Sequence, residues 1–232
     1  MTEPLLRRLS ARGERLTVGA LPWVAPVYRA MPQVAEVVEF PFAHGGLQLG
    51  ERRRMARQMA GRFDLAYICP NSLKSALLPF LAGIPKRVGY LGEARVGLLT
   101  HRLRNPPRQQ RPPMVAFYSA LSGEAGVADD RPQLQLPEAE LAASVQALGL
   151  TRAAYVVLAP GAEYGPAKRW PTQHFAELAR QLPLPVVLLG SGKEAELCQQ
   201  IVQGAGAGAR VLDLAGKTSL AQALGLIAAS RA

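Results

Sequence analysis

Between residues 155 and 229 short apolar runs alternate with amphipathic stretches, and this alternation constrains the fold more than any other feature of the chain. The runs at 155–159, 185–189 and 210–214 are bounded by Gly, Pro or charged residues, the pattern of strands buried on both faces. The stretches at 172–182, 194–203 and 220–229 have helical length, and in the first of them Phe175, Leu178 and Ala179 give one apolar face. Strands separated by helices pair in parallel through right-handed crossovers, so a βαβαβα layer is predicted. In such a layer the carboxyl ends of the strands open on one edge, where ligands bind. The residues that follow the three strands, 160–170, 190–194 and 215–219, therefore point the same way.

The first of these loops carries the most chemistry. The apolar run stops at Pro160 and Gly161, and after Gly165 and Pro166 come Lys168, Arg169, Trp170 and then Pro171, whose fixed φ suits a helix start. Loop amides, the helix dipole and two cations can converge there on a phosphate. The same residues also suit an ordinary βα connection, with Lys168 and Arg169 in solvent and Trp170 packed between layers; the spacing is neither the Walker loop nor the dinucleotide glycine fingerprint. In the second loop Gly190, Ser191 and Gly192 permit close backbone approach, and Glu194 either accepts hydrogen bonds from a ribose diol or complements the dipole of its helix. In the third, Gly216, Lys217 and Thr218 lead into a helix capped by Thr218 or Ser219.

The first half reads less regularly. A short amphipathic helix at 4–9 precedes strands at 16–21 and 35–40, a helix at 51–61 with Arg52, Arg53, Arg54 and Arg57, and a strand at 63–69. The arginine cluster reads as a solvated helix face, with contact to an anionic membrane as the alternative. Trp23 reads as core or cleft wall. At the carboxyl end of the 63–69 strand, Asn71 or Ser72 can cap a helix at 73–82, leaving Lys74 in its first turn. A cation there opposes the helix dipole and calls for either solvent or an anion. A strand at 86–90 follows, then a loop with Glu93 and Arg95. Residues 101–113 are basic and proline-rich and are predicted to hold no regular element, His101 having no partner at catalytic spacing. Helices are predicted at 114–121 and 141–148, with a domain boundary close to Gly149.

Three segments, in order, carry a resemblance: N-S-L-K-S-A-L-L-P-F-L-A-G-I-P-K-R-V-G-Y at 71–90, P-G-A-E-Y-G-P-A-K-R-W-P at 160–171, and L-A-G-K-T-S-L at 214–220. Together they resemble the lipopolysaccharide heptosyltransferases of glycosyltransferase family nine, of the second type. The resemblance implies an α/β fold of GT-B type, two Rossmann-like domains facing a cleft, with residues 1–149 on the acceptor side and 150–232 binding the donor. It implies ADP-heptose as donor and the inner core of lipopolysaccharide as acceptor. It assigns Glu163, Lys168, Arg169, Ser191, Glu194, Lys217 and Thr218 to the donor, with Glu194 at the ribose and the third loop at the adenine. It assigns Asn71, Ser72 and Lys74 to the acceptor.

The departures matter as well. The family's first strand leads into a Gly-Asp turn bearing the catalytic acid, which has no counterpart here; Glu3 falls inside the following helix and is not given the role. A Ser-Asn-Asp-Ser-Gly-like loop that grips the diphosphate is also unmatched after residue 229. A chain cut at both ends is therefore expected, with no catalytic residue of its own. The alternatives are a nucleotide-sugar-binding fragment without turnover, or a related enzyme using another nucleotide sugar.

Composition narrows the partners. Lys plus Arg number 27 against 17 Asp plus Glu, a net charge of +10 that implies an anionic partner. Aromatics are only 6% of residues and no nucleic-acid module appears in the element order, so nucleic acid is not expected. No apolar run reaches the ~18 residues of a membrane span, and the first residues carry no signal-peptide hydrophobic region, so a cytoplasmic monomer touching the inner membrane face is expected. Cys69 and Cys198 have no metal-ligand spacing and read as buried thiols; no metal or cofactor is expected.

Overall fold

Val- and Leu-rich runs separated by helices give ladders that are parallel throughout the described residues, 1–43, 45–124, 131–162 and 166–231 of the computed structural model. The chain divides into two compact units, Met1–Gln135 and Leu136–Ala232.

The first unit runs α1 (Glu3–Ala11), β1 (Leu16–Ala20), α2 (Ala25–Arg29), β2 (Val34–Glu39), α3 (Leu49–Met59), β3 (Leu65–Ile68), α4 (Leu73–Leu81), β4 (Lys86–Tyr90), β5 (His101–Leu103) and α5 (Met114–Ser119). β1 pairs with β2, and β3, β4 and β5 form a separate ladder. The same helices cover both ladders. Leu5 and Leu9 of α1 and Phe117 of α5 pack with Leu16 of β1 and with Tyr67 and Val88 of the second ladder. Met55 and Ala56 of α3 and Leu78 of α4 pack with Val38 of β2 and Ala66 of β3. Tyr90 stacks on Phe117 at 3.9 Å between ring centroids and donates its hydroxyl to the Phe117 carbonyl at 2.7 Å, so its polar end is satisfied inside the core.

Three expectations for this unit change, and the place of Glu3 becomes clear. Residues 101–113 are not wholly irregular: His101–Leu103 forms β5, because Val88, Gly89 and Tyr90 of β4 offer an open parallel edge. The arginines of α3 are not all solvated. Arg52 is buried, donates to the carbonyls of Leu47 at 2.8 Å and Lys74 at 2.9 Å, and lies 4.1 Å over the Phe42 ring, tying α3 to the head of α4. Trp23 is 71% exposed and belongs to no core. Glu3 is buried, but it is engaged: it accepts from Gln33 Nε2 at 2.9 Å and from the Gln133 amide at 3.0 Å.

The second unit runs α6 (Glu138–Gln146), β6 (Val156–Leu158), α7 (Thr172–Gln181), β7 (Val186–Leu188), α8 (Ala195–Ala205), β8 (Val211–Asp213) and α9 (Leu220–Ala229), the predicted alternation, with strand order β6-β7-β8. Paired on both sides and covered on both faces, β7 has all three residues fully buried. Each such side chain contributes about 1.5–3 kcal/mol over an exposed placement. Ala176 and Ala179 of α7 and Cys198 and Ile201 of α8 cover one face, while Tyr155, Leu226 and Ala229 cover the other. Burial pushes the Cys198 thiol up to about 11 and Cys69 up to about 12, which keeps both protonated at neutral pH.

A boundary near Gly149 would place α6 in the first domain, yet its Val145 packs with Tyr155, Leu226 and Ala229 of the second unit. A side chain at Gly225 of α9 would meet Ser144 of α6, Cβ at 2.8 Å, so the glycine is what lets the two helices close. Substituting Gly225→Val is expected to lower stability by about 1–3 kcal/mol through overpacking. Urea denaturation followed by circular dichroism measures this, and an unchanged midpoint would show that α6 and α9 do not pack as described.

Candidate functional site

The loops beyond β6, β7 and β8 nest, and glycine is what allows it. A methyl group on Gly161 would lie 2.6 Å from Cγ of Glu194, and one on Gly190 would lie 2.9 Å from Cβ of the same residue. Gly216 donates its amide to the Gly190 carbonyl at 2.9 Å, with φ +71°, and a methyl there would lie 3.0 Å from Cα of Gly192. The glutamate side chain thus sits between the first two connections, and the third rests on the backbone of the second.

Glu194 is held rather than free. Its Oε2 accepts from the Ser191 amide at 2.8 Å and from the Ser191 hydroxyl at 2.6 Å, while Ser191 Oγ accepts from the Lys193 amide, a reciprocal cap. These bonds, with Lys193 and Arg169 at longer range, hold its carboxyl below the usual carboxylate range. It is therefore an acceptor at neutral pH. In the third loop Ser219, not Thr218, caps α9, and Gln222 completes a second capping box. Lys217 folds back to the Asp213 carbonyl at 2.9 Å, and Thr218 is half-buried beside it.

The head of α7 differs from both. Pro171 stands at its N-cap and no described side chain caps it, although Lys168 and Arg169 precede it, both exposed, and the charge of Arg169 is felt at Glu194. An uncapped helix start leaves amides pointing outward with the positive end of the dipole. Trp170 is 49% exposed rather than packed between layers: it stacks on His174 and meets Phe175 edge-on at 4.9 Å. Glu163 lies outside the described residues.

In the first unit Asn71, Ser72 and Lys74 do gather at the head of α4. Ser72 Oγ accepts the Ser75 amide at 3.3 Å and caps the helix. Lys74 reaches back to the Gly45 carbonyl, and Asn71 Nδ2 donates to Asn105 at 3.3 Å. Sequence reading gave no role to two residues that organise this loop. Glu93 accepts the Leu73 amide at 2.9 Å, and Arg95, 0% exposed, donates to Asn71 Oδ1 at 2.9 Å. Their sequence signals are position, just after the strand that pairs with β3, and the resemblance of the loop 92–97 to the family.

Two units of parallel strands flanked by helices, the second with its loops gathered at the mouth of its sheet, define an α/β fold of GT-B type. The family profile for glycosyltransferase family 9 (heptosyltransferase) matches residues 52–232, and the chain belongs to that family. It is 41% identical over 250 aligned residues to lipopolysaccharide heptosyltransferase 2 of Escherichia coli K12, covering 100% of this chain and 72% of that protein. The structure of E. coli ADP-heptose lipopolysaccharide heptosyltransferase II superimposes with a TM-score of 0.86 at 38% identity, covering 99% of this chain and 72% of that one. E. coli heptosyltransferase WaaC with ADP, at 18% identity and a TM-score of 0.69 over 99% of this chain and 74% of that one, shares the fold.

Gly216→Ala tests the nesting of the loops. A left-handed non-glycine residue pressed on backbone costs about 1–3 kcal/mol. Loss of stability of that size is the expected outcome by chemical denaturation, and a neutral change would mean that the loops approach less closely than described.

Proposed function

We propose that the chain transfers L-glycero-D-manno-heptose from ADP-heptose to the inner core of lipopolysaccharide, as the names of its relatives suggest. The observation that carries the reading is the start of α7 behind Lys168 and Arg169, without a side-chain cap among the described residues and beside the nested loops. An acceptor hydroxyl attacks the anomeric carbon and loses its proton to a base, while the bond from that carbon to the ADP oxygen breaks with inversion. The departing diphosphate gains negative charge in that step. Lys168 as a point charge, Arg169 and the α7 amides would stabilise it more in the transition state than in the bound donor. Glu194, ionised and fixed by Ser191, suits the ribose diol, and Lys217 and Thr218 suit the adenine side. Asn71, Ser72 and Lys74 would take the acceptor.

The base is not assigned. Glu3, the carboxylate nearest in sequence to the family's acid, is occupied by Gln33 and Gln133. The second reading is binding of a nucleotide sugar without turnover. Membrane contact belongs to the same proposal: Arg53, Arg57, Arg102, Arg104, Arg108 and Arg111 are exposed and suit an anionic surface on the cytoplasmic face. No helix among the described residues is long and apolar enough to cross a membrane.

Titration of the chain with ADP-heptose, UDP-glucose and GDP-mannose, together with a transfer assay on inner-core acceptor, tests both readings. ADP-heptose is expected to bind at least about tenfold tighter than the others, and Lys168→Ala to weaken it by about tenfold, roughly 1.4 kcal/mol. Binding without ADP release supports the second reading. Equal binding of all three donors, or indifference to Lys168→Ala, would remove the donor assignment.

A further inference from the structure

Arg95 is the largest fully buried side chain among the described residues, and no carboxylate lies within ion-pair distance of it there. Its guanidinium is spent on the ends of two strands and the start of a helix. Nε donates to the Tyr90 carbonyl at 2.8 Å, and Nη2 to the same carbonyl and to Asn71 Oδ1 at 2.9 Å. Nη1 donates to the Pro70 carbonyl at 2.6 Å, with longer contacts of 3.4 Å to the Ser72 carbonyl and Ser75 Oγ. Burial pulls its pKa down from the ordinary arginine value, but a guanidinium stays charged inside a protein. A buried charge normally carries a paired counter-ion because desolvation is costly; here carbonyl dipoles take most of that place, with the charge of Glu93 felt at longer range.

A second, independent cost sits beside it. Glu93 and Ala94 lie in the left-handed region at φ 44° and φ 56°, where non-glycine residues are strained. Strain of that kind persists only where the surroundings over-determine it. This bend lets Arg95 turn inward while Glu93 reaches the Leu73 amide at 2.9 Å. A core of ordinary apolar packing would need neither the strain nor the buried cation, so both are referred to the loop they hold.

We propose that Arg95 is a positioning residue: it fixes Asn71 and Ser72 at the head of α4 and, from beneath, biases that loop towards an acceptor carrying phosphate or carboxylate. The proposal rests on the reading of Asn71, Ser72 and Lys74 as acceptor contacts. Its two parts separate by chemistry. Arg95→Lys keeps the charge and loses the planar fork, whereas Arg95→Met loses both.

The test uses the full chain, hydrogen–deuterium exchange, and calorimetric binding of a deacylated inner-core oligosaccharide in phosphorylated and dephosphorylated forms. For Arg95→Lys, exchange at residues 72–75 is expected to rise by about tenfold with β4 unchanged, and acceptor binding to weaken while the preference for the phosphorylated form is kept. For Arg95→Met that preference is expected to fall by about tenfold. Where the methionine variant does not fold, the lysine variant decides. Unchanged exchange and affinity in Arg95→Lys overturn the positioning role, as does exchange that rises equally throughout the first unit. An undiminished phosphate preference in a folded Arg95→Met overturns the charge role. Ser72→Ala and Lys74→Ala separate the two levels: if both leave acceptor affinity unchanged, the acceptor reading fails and the proposal with it. If they weaken it and Arg95→Lys does not, the Arg95 proposal alone fails. Absence of binding to the unsubstituted chain overturns both.

Discussion

One carboxylate seated against two glycines holds the mouth of the second unit together. Glu194 fills the space that side chains at 161 and 190 would take, and its hydrogen bonds to Ser191 keep it there in ionised form. The consequence reaches outward: the loop beyond β6 approaches the loop beyond β7 closely enough for the charge of Arg169 to be felt at Glu194. The fully buried β7 supplies the rigid base, since a central strand with no exposed residue leaves its two neighbours little freedom of register. Rigidity below and glycine contacts above are what place the end of each connection.

The first unit solves the same problem with cations. Arg52 and Arg95 are both buried and bonded chiefly to carbonyls, and both end on the segment 70–75. Backbone carbonyls at strand ends have unspent lone pairs, and a guanidinium with five donors can collect several at once from chains that share no ladder. Arg52 brings in α3 through the Lys74 carbonyl, and Arg95 brings in β4 through Tyr90. The head of α4 is thereby fixed from two sides before any ligand is considered.

Local signals in the sequence account for most of the layer structure and for little of this bracing. The alternation after residue 155 was legible because each strand and helix there has its own period and its own Gly or Pro boundary, and the three loops it brings together were legible from topology alone. β5 was not, because His101–Leu103 becomes a strand only by pairing with β4, and its basic, proline-rich surroundings argue the other way. Arg52 was not, because four arginines on one helix look alike until Phe42 and the Leu47 carbonyl select one of them. The place of α6 was hidden for the same reason: its partner is Gly225, over seventy residues on. Trp23 and Trp170 misled by type, since large aromatics are usually interior and these two are largely outside. The resemblance, not the residue pattern, carried the specific roles of Glu194 and Lys74.

The two units also differ in where their positive charge sits, and the difference suits the two halves of the proposed transfer. Lys168 and Arg169 are exposed just before α7, and the field of exposed charges is reduced by water and salt until a ligand covers them. A leaving group that gains charge and then must depart is served by such a field, because stabilisation grows as solvent is excluded and is lost when the site reopens. Arg95 is buried, so its field changes little on binding and little with ionic strength. An acceptor whose charge is the same before and after reaction needs only to be chosen and held, which a constant field does without adding to the barrier. On that argument the proposed transfer would use the exposed cations in the chemical step and the buried one in recognition.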